Sequence, residues 1–148
     1  MKVEELMTQQ VITIRPEESV AVAARTLAGR NIGALPVCSG DGKICGMVTD
    51  RDLVIRCLAA QLPPETTPVR QIMTGRVISV NPDTEADKAA HLMGKEQIRR
   101  LPVTENGRLC GMVSLADLVS SRENSASAAA ALQQISTGIR SETGPIFP

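Results

Sequence analysis

The chain has 148 residues and 43% hydrophobic content, enough for one compact domain or two small, closely associated ones. Its 16 basic and 16 acidic residues cancel, and Phe147 is the only aromatic, so both the basic footprint and the stacking platforms of nucleic-acid binding are missing. No apolar run reaches the roughly 18 residues of a membrane span, and Met1-Lys2-Val3-Glu4-Glu5 lacks a signal peptide's apolar stretch, so a cytoplasmic setting is expected.

Val11-Ile12-Thr13-Ile14 reads as a short strand that ends before Pro16. Glu17-Glu18-Ser19 then opens a helix whose apolar stripe is Val20, Ala23, Ala24 and Leu27; Gly29 and Asn31 end it. The two alanines imply a close neighbour on that face. Ala34 to Cys38 and Ile44 to Val48 read as strands joined by the hairpin turn Ser39-Gly40-Asp41-Gly42. Thr49 caps a helix expected over Asp50 to Ala60. The Pro-rich connection that follows, Leu62 to Pro68, is too short to let flanking parts drift apart.

Everything then repeats. Met7-Thr8 returns as Met73-Thr74 at an offset of 66, and Ile32-x-x-Leu35-Pro36-Val37 returns as Ile98-x-x-Leu101-Pro102-Val103. Cys45-Gly46-Met47-Val48-Thr49-x-x-Asp52 returns as Cys110-Gly111-Met112-Val113-Ser114-x-x-Asp117, the offset now 65 after one deletion in the hairpin turn. Two copies point to a pseudo-twofold pair rather than a solenoid. The expected organisation is a β-α-β-β-α repeat over 1–60, a linker over 61–68, a second repeat over 69–122, and an Ala-rich tail over 123–148. In the tail, Ser125 to Gln134 is expected to be helical, Leu132 and Ile135 are available to dock on a neighbour, and disorder is expected from Thr137 on.

The spacings of Cys38, Cys45, Cys57 and Cys110 fit neither a CxxC nor a zinc-site pattern, and His91 has no ligand-like partner at i±4. The cysteines are expected to be small apolar packing residues of a reducing compartment, with no metal held; a redox or metal sensor using Cys38, Cys45 and Cys57 is the competing reading. No nucleophile–base pair and no Gly-rich phosphate loop is visible, which argues against an enzyme.

Two motifs carry the functional reading. In Thr49-x-x-Asp52 and Ser114-x-x-Asp117 a strand enters a helix. One interpretation is a helix cap, although Glu is the commoner partner and Asp is short for a group that reaches back. The other is a carboxylate that accepts two hydrogen bonds from a ribose diol. In Ile-x-x-Leu-Pro-Val the proline deletes a backbone donor just inside a strand and frees neighbouring groups for a ligand. The intervening residues are Gly33-Ala34 in the first copy, small enough for a flat ring to approach, and Arg99-Arg100 in the second, two cations suited to phosphate or simply to solvent.

These motifs, twice over and in order, resemble a tandem CBS-domain pair, or Bateman module, of the small stand-alone bacterial kind; the likeness covers Val3 to about Val119. It implies an α/β (α+β) fold of two repeats packed through their sheets. It also implies a non-catalytic regulatory module that binds AMP, ADP or ATP, or S-adenosylmethionine, in two related clefts. One cleft would combine Thr49 and Asp52 with Thr74, Ile78, Ile98, Arg99, Arg100 and Pro102. The other would combine Ser114 and Asp117 with Thr8, Ile12, Ile32, Gly33, Ala34 and Pro36. The arginines make the Asp52 cleft the expected tighter site. A homodimer that signals through its conformation to a separate protein partner is expected, and a ligand-free interaction module is the alternative.

Overall fold

The computed structural model describes residues 1–120 and 125–143, with side chains placed through residue 120 and over residues 126–137. The backbone gathers into two compact units that do not follow the order of the repeats. One comprises Met1–Val11, Ile78–Glu105 and the chain from Cys110; the other comprises Ile12–Val77 and Asn106–Leu109. They are called the N/C unit and the middle unit below.

In the middle unit, α1 spans Val20–Arg30. Ser19, in extended conformation, accepts the Val22 N–H at 3.2 Å, and Asn31 turns left-handed at φ 52° to stop the helix. Val20, Ala23 and Leu27 are buried, while Ala24 of the expected stripe is exposed. Strands β1 (Ala34–Cys38) and β2 (Ile44–Thr49) pair antiparallel, Leu35 opposite Val48, with a register shift at Val37/Cys38. The hairpin closes through Ser39 N–H to Lys43 O at 2.9 Å and uses Gly42 at φ 83°, a conformation that favours glycine. The helix expected over Asp50 to Ala60 starts as α2 (Asp50–Asp52) and then widens to a π-helical turn over Leu53–Leu58, where Ala59 N–H reaches Val54 O five residues back at 2.8 Å.

The expected strand Val11–Ile14 shrinks to one parallel bridge, Ile14 with Val37. Ile14 N–H reaches Pro36 O at 3.1 Å and Cys38 N–H reaches Ile14 O at 2.9 Å. The next rung would need the N–H of residue 36, and Pro36 has none. The N/C unit repeats the device: Val80 bridges Val103, with Val80 N–H to Pro102 O at 3.1 Å and Thr104 N–H to Val80 O at 2.9 Å, and Pro102 blocks the next rung.

The N/C unit carries α3 (Ala86–Glu96), β3 (Arg100–Glu105), β4 (Arg108–Ser114, whose first residues lie in the middle unit), α4 (Leu115–Val119) and α5 (Ser125–Thr143). Its core is aliphatic, as the absence of core aromatics requires: Val3, Met93, Leu101, Val103, Val113 and Leu118 are fully buried. Helix α5 packs on α3 and α4, with Ala128, Ala131 and Ile135 buried at helical spacing and Ser127 Oγ donating to Asp87 Oδ1 at 3.0 Å. Two expectations about the tail are corrected. Ile135 docks inside its own unit, at 2% exposure. The helix continues past Thr137 to Thr143, because propagation from an anchored segment adds a hydrogen bond for each residue fixed. Residues 144–148 of the expected disordered stretch lie outside the described residues.

The two units arise by exchange. Val3–Glu5 and Val69–Gln71 form the same 3-10 turn, and each turn delivers a Met-Thr pair to the other repeat's strand. Thr8 pairs with Met112 of β4 through N–H to O bonds of 2.8 and 3.0 Å, and Thr74 pairs with Met47 of β2 at 2.8 and 2.9 Å. The leading segment is further held where Val3 N–H meets Thr84 O at 2.8 Å and Ala86 N–H meets Met1 O at 2.9 Å.

Candidate functional site

Both Ser/Thr-x-x-Asp motifs fold into reciprocal capping boxes. Asp52 N–H donates to Thr49 Oγ1 at 3.1 Å, and Thr49 N–H donates to Asp52 Oδ2 at 3.0 Å. In the second copy Asp117 N–H donates to Ser114 Oγ at 3.1 Å and Ser114 N–H to Asp117 Oδ2 at 2.8 Å. Asp, expected to be short for a group that reaches back, does reach the capping N–H in both copies. The capping residues sit at φ −118° and −110° with ψ near 160°, and that extended bend brings their own N–H toward the side chain three residues on.

The box uses one carboxylate oxygen and leaves the other. An ionised carboxylate has about four acceptor sites, so a cap and a diol can share it. The spare oxygens differ in surroundings. Asp52, 8% exposed, turns Oδ1 toward Arg56 Nε at 3.8 Å, and Arg56 also donates to Met73 O at 3.2 Å. Asp117 is half-buried, and among the described residues no cation pairs with it. Arg56 carries no signal in the sequence, because an exposed arginine on a helix is ordinary.

The segment before each proline is tied to the cap of its own repeat. Asp50 N–H donates to Gly33 O at 3.0 Å, and Leu115 N–H donates to Arg99 O at 2.7 Å. Of the residues expected for the Asp52 cleft, Thr49, Asp52 and Thr74 lie in the middle unit, and Ile78, Ile98, Arg99, Arg100 and Pro102 lie in the N/C unit. Of those expected for the Asp117 cleft, Thr8, Ser114 and Asp117 lie in the N/C unit, and Ile12, Ile32, Gly33, Ala34 and Pro36 lie in the middle unit. Each Thr-bearing segment runs beside the strand that ends in a cap, as the two Met-Thr bridges require.

Within the N/C unit, Arg99 and Arg100 border a cavity of about 450 Å3 together with Ser114, Leu115, Ala116, Val119 and Leu132. That volume falls within the range of small-molecule sites, roughly 300–1,000 Å3. Its lining mixes two chemistries: two exposed arginines and a serine, with the aliphatic side chains of Leu115, Ala116, Val119 and Leu132. The sequence indicated the arginines and the serine; the aliphatic wall becomes visible only once α4 and α5 are placed.

The cysteines lie where packing residues belong. Burial, followed by the neighbouring Cys45, pushes the Cys38 thiol above its ordinary range. Burial and then Glu17 do the same for Cys45, and burial and then Glu105 for Cys110. Cys45 Sγ donates to Val37 O at 3.3 Å and Cys110 Sγ to Val103 O at 3.2 Å, the same contact in each hairpin. Among the described residues no group of three or more His, Cys, Asp or Glu side chains is placed to hold a metal ion, and no helix is long and apolar enough to cross a membrane.

Known proteins share this sequence and fold. The protein YlbB of Bacillus subtilis (strain 168) is 39% identical over 144 residues, covering 97% of this chain and 97% of YlbB. The crystal structure of hypoxic response protein I with two coordinated zinc ions superposes with a TM-score of 0.75 at 32% identity, covering 81% of this chain and 98% of that one. The CBS domain pair of protein MJ0100, solved in complex with 5'-methylthioadenosine and S-adenosyl-L-methionine, gives 0.71 at 29% identity, covering 81% and 98%. The CBS domain itself matches twice, at residues 3–58 and 69–124, the two repeats read from the sequence; the chain belongs to the CBS-domain family, as a tandem pair of the regulatory type.

Proposed function

We propose that this CBS pair binds an adenosine-containing ligand, with AMP, ADP or ATP as the preferred class, and acts as a non-catalytic sensor in the cytoplasm. The observation that carries the reading is the N/C-unit cavity, which sets Arg99 and Arg100 beside Ser114 and an aliphatic wall. Arginine pairs bind phosphate oxygens in bidentate fashion, while a base without aromatic neighbours needs aliphatic surfaces. The spare oxygen of Asp117 then takes the ribose, with Thr8 alongside. The rung that Pro102 deletes leaves the Ile78 carbonyl to read the adenine edge, with Ile98 as an apolar flank. In the middle unit Asp52, Thr49, Thr74, Ile12, Ile32, Gly33, Ala34 and Pro36 are the matching set, without the arginine pair. The phosphate preference thus goes with Asp117, which shares a unit with the arginines, rather than with Asp52 as expected from the sequence.

S-adenosylmethionine is the second reading, favoured by the MJ0100 complex. It carries no phosphate, so the arginines separate the two. Each charge-assisted bond to phosphate is worth about 1.5–3 kcal/mol, and removing one arginine should weaken ATP at least about tenfold while leaving S-adenosylmethionine little changed.

We further propose that the protein assembles as a homodimer through the middle unit and passes its state to a partner protein. In the N/C unit α5 covers α3, and Ala90 is fully buried. Its equivalent Ala24 is exposed, as are Val54 at 52%, Ile55 at 53% and Leu58 at 73%. A twofold contact between copies would bury that face in both at once.

The test is thermal unfolding with AMP, ADP, ATP, S-adenosylmethionine and GMP, on wild type, Arg99→Ala and Asp117→Asn. A ligand at about 100 times its dissociation constant adds about 2.7 kcal/mol, several degrees for a chain of this size. Asp117→Asn keeps an acceptor for the Ser114 N–H but can place an amide where the spare oxygen was. It should retain the melting temperature and lose the ligand shift. An unchanged shift in Asp117→Asn would reduce the motif to a helix cap, and no shift with any adenosine compound would leave an interaction module.

A further inference from the structure

Helix α5 lies wholly beyond the second family match, which ends at residue 124, yet it contributes to the cavity. Ala128, Ala131 and Ile135 hold it on the unit core. Its approach to α3 is close: a Cβ on Gly94 would stand 3.0 Å from Ala131 Cα. Leu132 lies beside this buried stripe. It remains 43% exposed and forms part of the cavity wall with Arg99, Arg100, Ser114 and Val119. A large apolar side chain held half in solvent by a docked helix, lining the same cavity as two arginines, is placed to meet the apolar part of an amphipathic anion.

We propose that Leu132 is a ligand contact and that α5 is the element through which occupancy of the N/C-unit cavity is read out. The inference rests on the ligand reading above and adds to it a residue and a coupling. A ligand that touches Leu132 only while α5 is docked binds the docked state more tightly, so it must strengthen docking by the same factor. Loss of α5 docking must in turn weaken the ligand. The phosphate end stays with Arg99 and Arg100, and Leu132 closes over the apolar end.

The experiment measures AMP, ATP and S-adenosylmethionine affinity by calorimetry on the full chain for wild type, Leu132→Ala, Leu132→Met and Ile135→Ala, with amide hydrogen exchange of α5 with and without ATP. Truncating a half-exposed leucine removes part of one side chain's apolar contact, so Leu132→Ala should bind about three- to tenfold more weakly. Leu132→Met, which conserves volume, should bind as wild type does. Ile135→Ala, which loosens docking without touching the cavity, should also weaken binding. Exchange in α5 should slow when ATP is present. Wild-type binding with Leu132→Ala within twofold of it and α5 exchange unmoved would overturn the α5 proposal and leave the ligand reading standing. Failure of wild type to bind any of the three would overturn both.

Discussion

The same substitution, glycine to alanine, should have opposite effects at two positions of this fold. At Gly111 a Cβ would stand 2.6 Å from Met7 Sδ, 3.0 Å from Met7 Cγ and 2.9 Å from the Thr8 carbonyl oxygen. The sulfur terminates a flexible side chain and can move. The carbonyl belongs to the bridge in which Thr8 and Met112 exchange hydrogen bonds of 2.8 and 3.0 Å, so it cannot retreat without stretching both. Overpacking of this kind costs about 1–3 kcal/mol, or roughly 2–12 °C in melting temperature for a domain near 150 residues. At Gly29, within α1, nothing lies within 4 Å of the added Cβ, and alanine there should stabilise by about 0.4–1 kcal/mol through helix propensity and a less flexible unfolded chain. Urea unfolding followed by circular dichroism measures both on one scale. A double cycle with Met7→Ala separates side chain from backbone: the Met7 truncation should recover part of the Gly111→Ala loss and leave the carbonyl part. Equal stability of Gly111→Ala and wild type, or full recovery in the double variant, would refute the claim that the Met-Thr backbone crosses β4 too closely for any side chain.

Leu58→Lys should convert a dimer to a monomer in analytical ultracentrifugation without lowering the melting temperature of the monomer; a wild type that sediments as a monomer would remove the twofold proposal. Because Cys38, Cys45 and Cys110 titrate above the ordinary thiol range, the folded chain binds more protons than the unfolded one above that range. Stability should therefore fall as pH rises past about 9, and alkylation by iodoacetamide near neutral pH should be slower in the native protein than in the unfolded one. Rapid native alkylation of these cysteines would revive the redox-sensor reading.

Much of the fold was legible because local rules and tertiary demand agree. Ser19 and Asn31 stand at the ends of α1, the Ser39–Gly42 turn joins β1 to β2, and the repeated motifs recur as equivalent hairpins and capped helix starts. The deviations have local causes. Val11–Ile14 has the composition of a strand, but its neighbour contributes Pro36, and one missing donor limits pairing to a single rung. Ala24 and Ala90 are the same letter in the same stripe. Burial separates them because a helix outside the repeat covers one and not the other. At the site, residue types were readable and partners were not. The reach of Asp52 back to Thr49 depends on a backbone bend, and the aliphatic wall around Arg99 depends on the fold of α4 and α5.

The exchange of leading segments explains why Gly-Met-Val recurs as a block. Glycine admits the crossing backbone, methionine carries the paired N–H and C=O groups, and valine turns into the core, where Val48 and Val113 are fully buried. Each unit is therefore incomplete without a segment from the other repeat. Val3 and Val69 are fully buried in cores belonging to the repeat that does not contain them. The copies nonetheless differ around their caps and outer helices: Gly33-Ala34 against Arg99-Arg100, Arg56 beside one capping carboxylate and no such pair among the described residues beside the other, α5 over one helix face and exposed Ala24 on its equivalent.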